Sequence, residues 1–226
     1  MPPLMQPYVR RSTAVAATDQ IRDAIIFGDL GMGTPLSEAT IAEQLGISRT
    51  PVREAMRQLA QEGLVQLRPY AGASVFVVTV QELAQMMDFR EMLEVAALKQ
   101  GMSRDAAGLG EKLQTIATQM ETAIRESDVR PYGALDTEFH ETIIDAAGSS
   151  FLHDAYALVS SKLAAMRTVI WRDKDRLQRS IHGHEALIAC ISAGDIQAAI
   201  AVLVEHIRNA ERVFAGDKTL FGKTEA

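Results

Sequence analysis

Apolar residues recur at helical spacing over most of the chain, and the interruptions divide it into two unequal parts. Between Ala14 and about Val78 the pattern changes every ten to fifteen residues, the texture of a small mixed domain. A helix is expected over residues 18–27, ending in the breaker-rich stretch Gly28-Asp29-Leu30-Gly31-Met32-Gly33-Thr34-Pro35. Two short helices follow. Leu64-Val65-Gln66-Leu67 and Ser74-Val75-Phe76-Val77-Val78 then flank a glycine-containing turn over residues 68–73, which reads as a β-hairpin. Beyond Thr79 the period is helical almost without interruption. Leu83, Met86, Met87, Leu93 and Ala97 form one stripe, and comparable stripes run through residues 113–124, 132–143, 152–170, 181–191 and 196–213. Breaks are expected at residues 108–110, Pro131, Gly148, residues 173–175 and Gly194-Asp195. Helices of this number and length predict an antiparallel bundle.

The first dozen residues carry three prolines and no periodicity, which predicts a flexible arm ending in Arg10 and Arg11. Such an arm can enter a DNA minor groove or simply be solvated. The expected boundaries are an arm over 1–13, a mixed domain over 14–78, an all-α domain over 79–216 and a tail over 217–226.

Composition narrows the setting. With 226 residues, 47% hydrophobic and 23% charged, the chain is of ordinary globular type and long enough for a substantial core. A single cysteine, Cys190, excludes an internal disulfide and fits a reducing cytoplasm. No apolar run approaches a membrane span and no signal-peptide order is present, so a cytoplasmic protein without membrane contact is expected. The formal charge of −6 argues at first against a nucleic-acid partner. Its distribution reverses that argument. Residues 1–75 hold seven basic and seven acidic side chains, whereas residues 76–226 hold 16 and 22, so the whole deficit belongs to the second part.

Within residues 38–59, Ile41, Ala42 and Leu45 supply one apolar face and Val52, Ala55, Met56 and Leu59 a second, with Gly46 between them. Two helices crossing at a large angle need a small residue at the contact and one tolerant of positive φ in the turn; Ala42 and Gly46 meet these needs. On the second helix Arg49, Thr50, Arg53 and Arg57 lie roughly 110° from the apolar residues. Ser48 or Thr50 can cap it, and Pro51 is tolerated in its first turn. Such a face suits a recognition helix presented to base edges and phosphates, or an ordinary solvated surface.

The histidines supply the second constellation. Asp136 and His140, four apart, share a helix face beside the stripe of Tyr132, Leu135, Phe139 and Ile143. His184 lies on the stripe of Ile181, Ile188 and Ile191, and His206 on that of Ala199, Val202, Leu203, Ala210 and Val213. Each alone reads as a hydrogen-bonded core residue. Together they form one oxygen and three nitrogen donors aimed at a core, and a divalent ion would satisfy all four. His153 and His182 fall off these stripes and read as structural or solvated. His184-Glu185 lacks the second histidine of a zinc-protease helix, since position 188 is Ile188. Arg90 interrupts an apolar stripe, where an unpaired guanidinium is costly. It can pair with Glu94 at i+4 or receive an acidic ligand, and Arg167 is a second candidate of that kind.

The string Leu36-Ser37-Glu38, Ile41-Ala42-Glu43-Gln44-Leu45-Gly46-Ile47-Ser48-Arg49-Thr50-Pro51-Val52-Arg53-Glu54-Ala55-Met56, with Glu62-Gly63-Leu64-Val65 and Gly72, resembles the winged helix-turn-helix of the GntR family of bacterial transcription regulators. The second part resembles the FCD effector domain of the family's FadR-like branch. It does so through residues 90–94, Asp136-Thr137-Glu138-Phe139-His140, His184-Glu185-Ala186-Leu187-Ile188, Gly194-Asp195 and His206-Ile207. The fold implied is mainly α, an N-terminal winged helix-turn-helix followed by a C-terminal antiparallel helical bundle. The resemblance implies that Ser48, Arg49, Thr50 and Arg53 contact DNA and that Gly72 sits at the wing tip; Arg57 and Arg68 add to the local positive charge. Some members carry Arg where this chain has Ala39, so one phosphate contact is missing. The metal ligands of the family map onto Asp136, His140, His184 and His206. Zinc is the first expectation, with nickel, manganese or iron as alternatives.

The function expected is that of a homodimeric repressor on a short palindromic operator, controlled by a small organic acid at the metal, with Arg90 and Arg167 as effector-binding residues. A fatty acyl-CoA effector does not fit, because the fatty-acyl-responsive founder lacks the metal set. The competing classes are a cytosolic metalloenzyme using the same Asp/His site and a regulator that responds to metal alone.

Overall fold

In the computed structural model, residues 12–68, 72–126 and 129–221 are described. The expected arm over 1–13 therefore falls largely outside the described residues, as do the centre of the hairpin turn and the last five residues of the tail expected over 217–226, whose first half forms a short 3-10 turn over Lys218–Leu220 with Leu220 buried. Helix α1 (Thr13–Ile26) begins five residues before the expected position, because Ser12 caps it by accepting a hydrogen bond from the Val15 amide at 3.2 Å. It buries Ala17, Ile21 and Ile25 against α3 (Arg49–Gln61). Between them, α2 (Glu38–Leu45) is capped by Ser37 and ends at Gly46, which adopts φ +65°. That left-handed turn is open to glycine at little cost.

Strands β2 (Val65–Arg68) and β3 (Gly72–Val75) form the expected hairpin, with Val65 opposite Val75 and Arg68 opposite Gly72. A third strand, β1 (Pro35–Leu36), pairs antiparallel with β3, giving the order β1-β3-β2. It lies in the stretch read from sequence as breakers alone. Two residues leave no periodicity to detect, and Pro35 is tolerated because β1 is an edge strand. The strand expected over Ser74–Val78 ends at Val75, after which Phe76 and Val78 remain buried and lead into the bundle.

The bundle is organised on α4 (Val80–Arg125), which opens with a reciprocal capping box between Thr79 and Glu82. It packs on α5 (Val129–Ala146), α6 (Ser150–Met166), α8 (Lys174–Ser192) and α9 (Ile196–Gly216). The break expected at residues 108–110 falls instead at Asp105, whose backbone is extended (φ −161°, ψ 81°). Asp105 Oδ1 accepts from the Gly108 amide at 2.8 Å, so this residue caps the second segment and the glycines lie inside it. Pro131 falls in the first turn of α5, where its missing amide costs nothing.

The single helix expected over 152–170 is two. α6 ends at Met166 and a one-turn helix, α7 (Thr168–Trp171), follows Arg167. Thr168 Oγ1 donates to the Ala165 carbonyl at 2.9 Å, taking an acceptor that a continuing helix would use. This interruption sets Arg167 between the bundle interior and a surface that meets α1.

Candidate functional site

On the winged portion, α3 separates its faces cleanly: Val52, Ala55, Met56 and Leu59 are buried, while Arg49, Thr50, Arg53 and Arg57 are exposed. Ser48 occupies the N-cap position but its hydroxyl makes no capping bond, so it and the first-turn amides face solvent. Arg53 is held. Its Nε donates to Glu38 Oε1 at 3.0 Å and its Nη2 to Glu38 Oε2 at 2.8 Å, a fork that ties α3 to the first residue of α2. Arg53 in turn draws the half-buried Glu38 carboxyl below its ordinary range. Arg68, at the end of β2, donates to Gln66 Oε1 at 3.2 Å. Opposite it, Gly72 has φ +83°, and nothing lies within 4 Å of where a Cβ would stand. Backbone at that point of the wing is accessible for close approach.

The bundle interior holds the second site. α5 carries Asp136 and His140, α8 carries His184, and α9 carries His206. One ring nitrogen of each histidine lies within 4.8 Å of those of the other two. Ring centroids are 5.6 Å apart for His140–His184, 5.3 Å for His140–His206 and 4.6 Å for His184–His206. Gly183 makes this approach possible, since a Cβ there would stand 2.6 Å from His206 Nδ1. Asp136 Oδ1 is 3.5 Å from His184 Nε2, and its Oδ2 is 3.0 Å from Arg167 Nε.

Around this set runs a buried ionic network. Arg90 Nε donates to Glu94 Oε1 at 2.6 Å, and Arg90 Nη2 lies 2.9 Å from His140 Nε2. His140 Nδ1 is 2.9 Å from Glu94 Oε2, and the Tyr156 hydroxyl donates to Glu94 Oε1 at 3.2 Å. With Nδ1 bearing the proton, His140 gives it to Glu94, and Arg90 Nη2, 3.1 Å from Nδ1 and 2.9 Å from Nε2, sits beside the Nε2 lone pair that an ion bound at His140 would have to take from it. The pair of Arg90 with Glu94, one of the two roles open to Arg90 from sequence, is thus formed.

Burial pushes the His184 imidazole down to about 4. His140 is held well below its ordinary value by burial and then by Arg90, and His206 by burial and then by the neighbouring imidazoles. Burial opposes charge on Asp136, but Arg167 and the nearby cations outweigh it and hold the carboxyl below its usual range. Three neutral imidazoles beside a carboxylate are the protonation states that ligate a metal. Neither ring nitrogen of buried His184 has a hydrogen-bond partner, and the same is true of Arg167 Nη2. Orphaned buried donors and acceptors are rare, and here they point to a group that completes the site. The three imidazoles fit a divalent transition ion, whereas Asp136, expected as a fourth ligand, lies beside His184 but outside that converging group, with its Oδ2 held by Arg167.

A cavity of about 530 Å³ opens from this cluster. Asp136, His140 and His206 line its inner end with Arg90 and Arg167, while Arg176, Arg179, Ser180 and His182 from α8 and Glu205 and Asn209 from α9 line the remainder. His153 stands exposed on α6, away from it.

Residues 13–75 match the family of bacterial regulatory proteins named for gntR, and residues 85–209 match the FCD domain. The gluconate operon transcriptional repressor of Bacillus subtilis is 31% identical over 191 residues, covering 82% of this chain and 78% of the relative. The chain belongs to the GntR family. A probable D-xylose utilization operon transcriptional repressor of Paenarthrobacter nicotinovorans is 28% identical over 88% of each chain. Among solved structures, a GntR transcriptional regulator from Rhodococcus sp. RHA1 superposes with a TM-score of 0.73 at 21% identity, over 90% of this chain and 97% of that one. Escherichia coli McbR/YncC gives 0.75 at 20% identity, over 89% and 96%. These last two show the shared fold: a winged helix-turn-helix joined to an all-α domain.

GntR-family members and the relatives above are DNA-binding transcription regulators, not enzymes, and DNA-binding regulation is the function class of this chain. Among the described residues no helix is long and apolar enough to cross a membrane. Of the residues singled out from sequence, the structure gathers Asp136, His140, His184 and His206 with Arg90 and Arg167, and exposes Ser48, Arg49, Thr50, Arg53, Arg57, Arg68 and Gly72 together on the winged part. Sequence reasoning did not find Glu38, Tyr156 or Gly183 as parts of these sites. Only Gly183, set between two histidines, carried a visible signal.

Proposed function

We propose that this GntR regulator is a repressor whose operator affinity is set by a small organic acid bound at a divalent metal in the bundle. Residues 14–78 read the operator and residues 79–216 sense the acid. Ser48, Arg49, Thr50, Arg53 and Arg57 from α3 address base edges and phosphates, and Arg68 and Gly72 bring the wing to the backbone. Recognition of a short palindrome calls for a homodimer. Asp136, His140, His184 and His206 would hold the ion, zinc before nickel, manganese or iron. When bound, it supplies an electrophilic centre for a carboxylate.

The observation that carries this reading is the orphaned polar set at the histidine cluster, Arg167 Nη2 on the cavity wall and both ring nitrogens of the buried His184 beside it. Arg167 also explains how such a site reaches DNA. It precedes α7, whose Trp171 packs its ring 6.4 Å from that of Phe27 at the end of α1. The adjoining Arg172 donates to the Gly28 carbonyl at 3.3 Å, and Arg130 pairs with Asp29 at 2.7 Å. A ligand that draws on Arg167 therefore acts four residues from the seam between the two parts, where Trp171 meets Phe27. Differential affinity for the two arrangements of that seam is the quantity that would drive release. The Bacillus relative is named for the operon of an organic acid, which agrees with this ligand class.

The test is a fluorescence-anisotropy titration of operator DNA with metal-loaded protein, adding candidate carboxylic acids. An acid that shifts operator affinity about tenfold, and loses that effect on chelation, corresponds to a coupling of about 1.4 kcal/mol and supports the reading. If no acid shifts it, control by an organic acid is wrong; if chelation alone shifts it, the signal is the metal.

A further inference from the structure

We infer that the acid bound in the bundle cavity is dianionic, with one carboxylate at the inner end beside Arg167 and the second at Arg179, joined by an aliphatic spacer. This rests on the cavity being an acid-binding site and specifies which acids it accepts.

The argument follows the charges on the cavity wall. Arg90 is neutralised by Glu94. Arg176 is engaged by Asp217 at 3.4 Å, Asp173 at 3.6 Å and the Val169 carbonyl at 3.2 Å. Glu205 is paired with Arg212 at 2.6 Å. Arg167 pairs with Asp136 through Nε and donates to Thr137 Oγ1 through Nη1 at 3.3 Å, while its buried Nη2 has no hydrogen-bond partner. Arg179 differs from all of these. It lines the cavity, stands exposed, and makes no hydrogen bond or ion pair with a described residue. Its electrostatic neighbour, Asp173, already faces Arg176.

Unpartnered donors therefore sit at two places on different elements: Arg167 Nη2 between α6 and α7, and the Arg179 guanidinium on α8. A monocarboxylate can satisfy only one. An acid charged at both ends satisfies both, and guanidinium is the cation best suited to fork onto a carboxylate. The cavity wall also carries the apolar Ile170, Ala201, Val202 and Val213, with Ser180, His182, Glu205 and Asn209 as its remaining polar groups. An aliphatic spacer suits the apolar side chains, whereas a polyhydroxylated sugar acid would have to find a partner for every hydroxyl among those few polar groups.

Isothermal titration of the metal-loaded full-length protein tests this with matched acids: succinate to suberate, the monocarboxylates of equal carbon number, and gluconate. The best dicarboxylate should bind about threefold to fivefold tighter than its monocarboxylate counterpart, the factor expected of one ion pair with an exposed guanidinium. Arg179→Ala removes no hydrogen bond or ion pair to a described residue. It should bring the dicarboxylate down to the monocarboxylate level, leave monocarboxylate affinity unchanged, and abolish the extra salt dependence of the dicarboxylate. Equal binding of both classes by the parent, equal losses for both in Arg179→Ala, or tightest binding of gluconate would overturn the inference while leaving an acid-binding site in place. If none of the acids binds, the acid-binding reading falls and this inference with it.

Discussion

Within ten consecutive positions, α3 presents Ser48, Arg49, Thr50, Arg53 and Arg57 to solvent. The bundle gathers Asp136, His140, His184 and His206 from three helices and surrounds them with Arg90, Glu94, Tyr156 and Arg167 inside the core. Both regions are polar, but they are held differently. The α3 face needs only an apolar back to dock on, and its charges cost nothing in water. The bundle set exists because each charge has a partner: Arg90 and Glu94 are both almost fully buried, at 1% and 0% side-chain exposure. The first region can therefore change its contacts without changing the fold, whereas the second cannot lose a member without consequences for packing.

Substitutions of opposite character test that contrast. The largest effect is expected from Arg49→Ala combined with Arg53→Ala. Each base or phosphate contact contributes about 1–3 kcal/mol, so operator affinity should fall by a hundredfold or more in anisotropy titrations. Thermal stability and metal content, read by calorimetry and elemental analysis, should stay at the parent level. A loss of metal in that variant would show that the two regions are not independent in construction.

The converse substitution is Glu94→Ala. It strands Arg90 in the core and removes the acceptor of His140 and Tyr156, so unfolding in urea should show a loss of about 3–5 kcal/mol. A loss below about 1 kcal/mol would mean that the network is as tolerant as a surface pair.

The smallest effect expected sharpens the picture of the exposed face. Glu38 competes with DNA for Arg53, so Glu38→Gln should raise non-specific duplex affinity by roughly twofold to fivefold and steepen its salt dependence. Because Arg53 holds the Glu38 carboxyl below its ordinary range, the pair is complete above that range and is lost only as pH falls through the lowered value. The effect of the substitution should therefore be constant between about pH 6 and pH 8. Reduced DNA affinity in Glu38→Gln would instead mean that the pair positions Arg53 for its contact.

How much could be read in advance follows the same division. The faces of α3 were legible because residues three and four apart on a helix share a side whatever the rest of the chain does. The hairpin was legible from two alternating runs and their turn. β1 was not, because a strand of two residues exists only through its partner. The break in α4 was placed at residues 108–110 because glycine is the stronger intrinsic breaker, yet the capping bond of Asp105 decided it. The split at Arg167 depended on the Thr168 hydroxyl taking the Ala165 carbonyl, a choice between two hydrogen bonds that apolar periodicity does not register.

The sequence by itself determined the order of the longer helices and of the hairpin, the outward face of α3, and the inward faces that carry Asp136, His140, His184 and His206, since helical period and residue type are local properties. The tertiary structure alone decided that Arg90 is spent on Glu94 and His140, that Arg167 keeps a buried donor free, that Arg179 faces the same cavity unpaired, and that Trp171 meets Phe27 across the seam. Each of these relations depends on which helix lies beside which, and burial then sets the cost of every charge left without a partner.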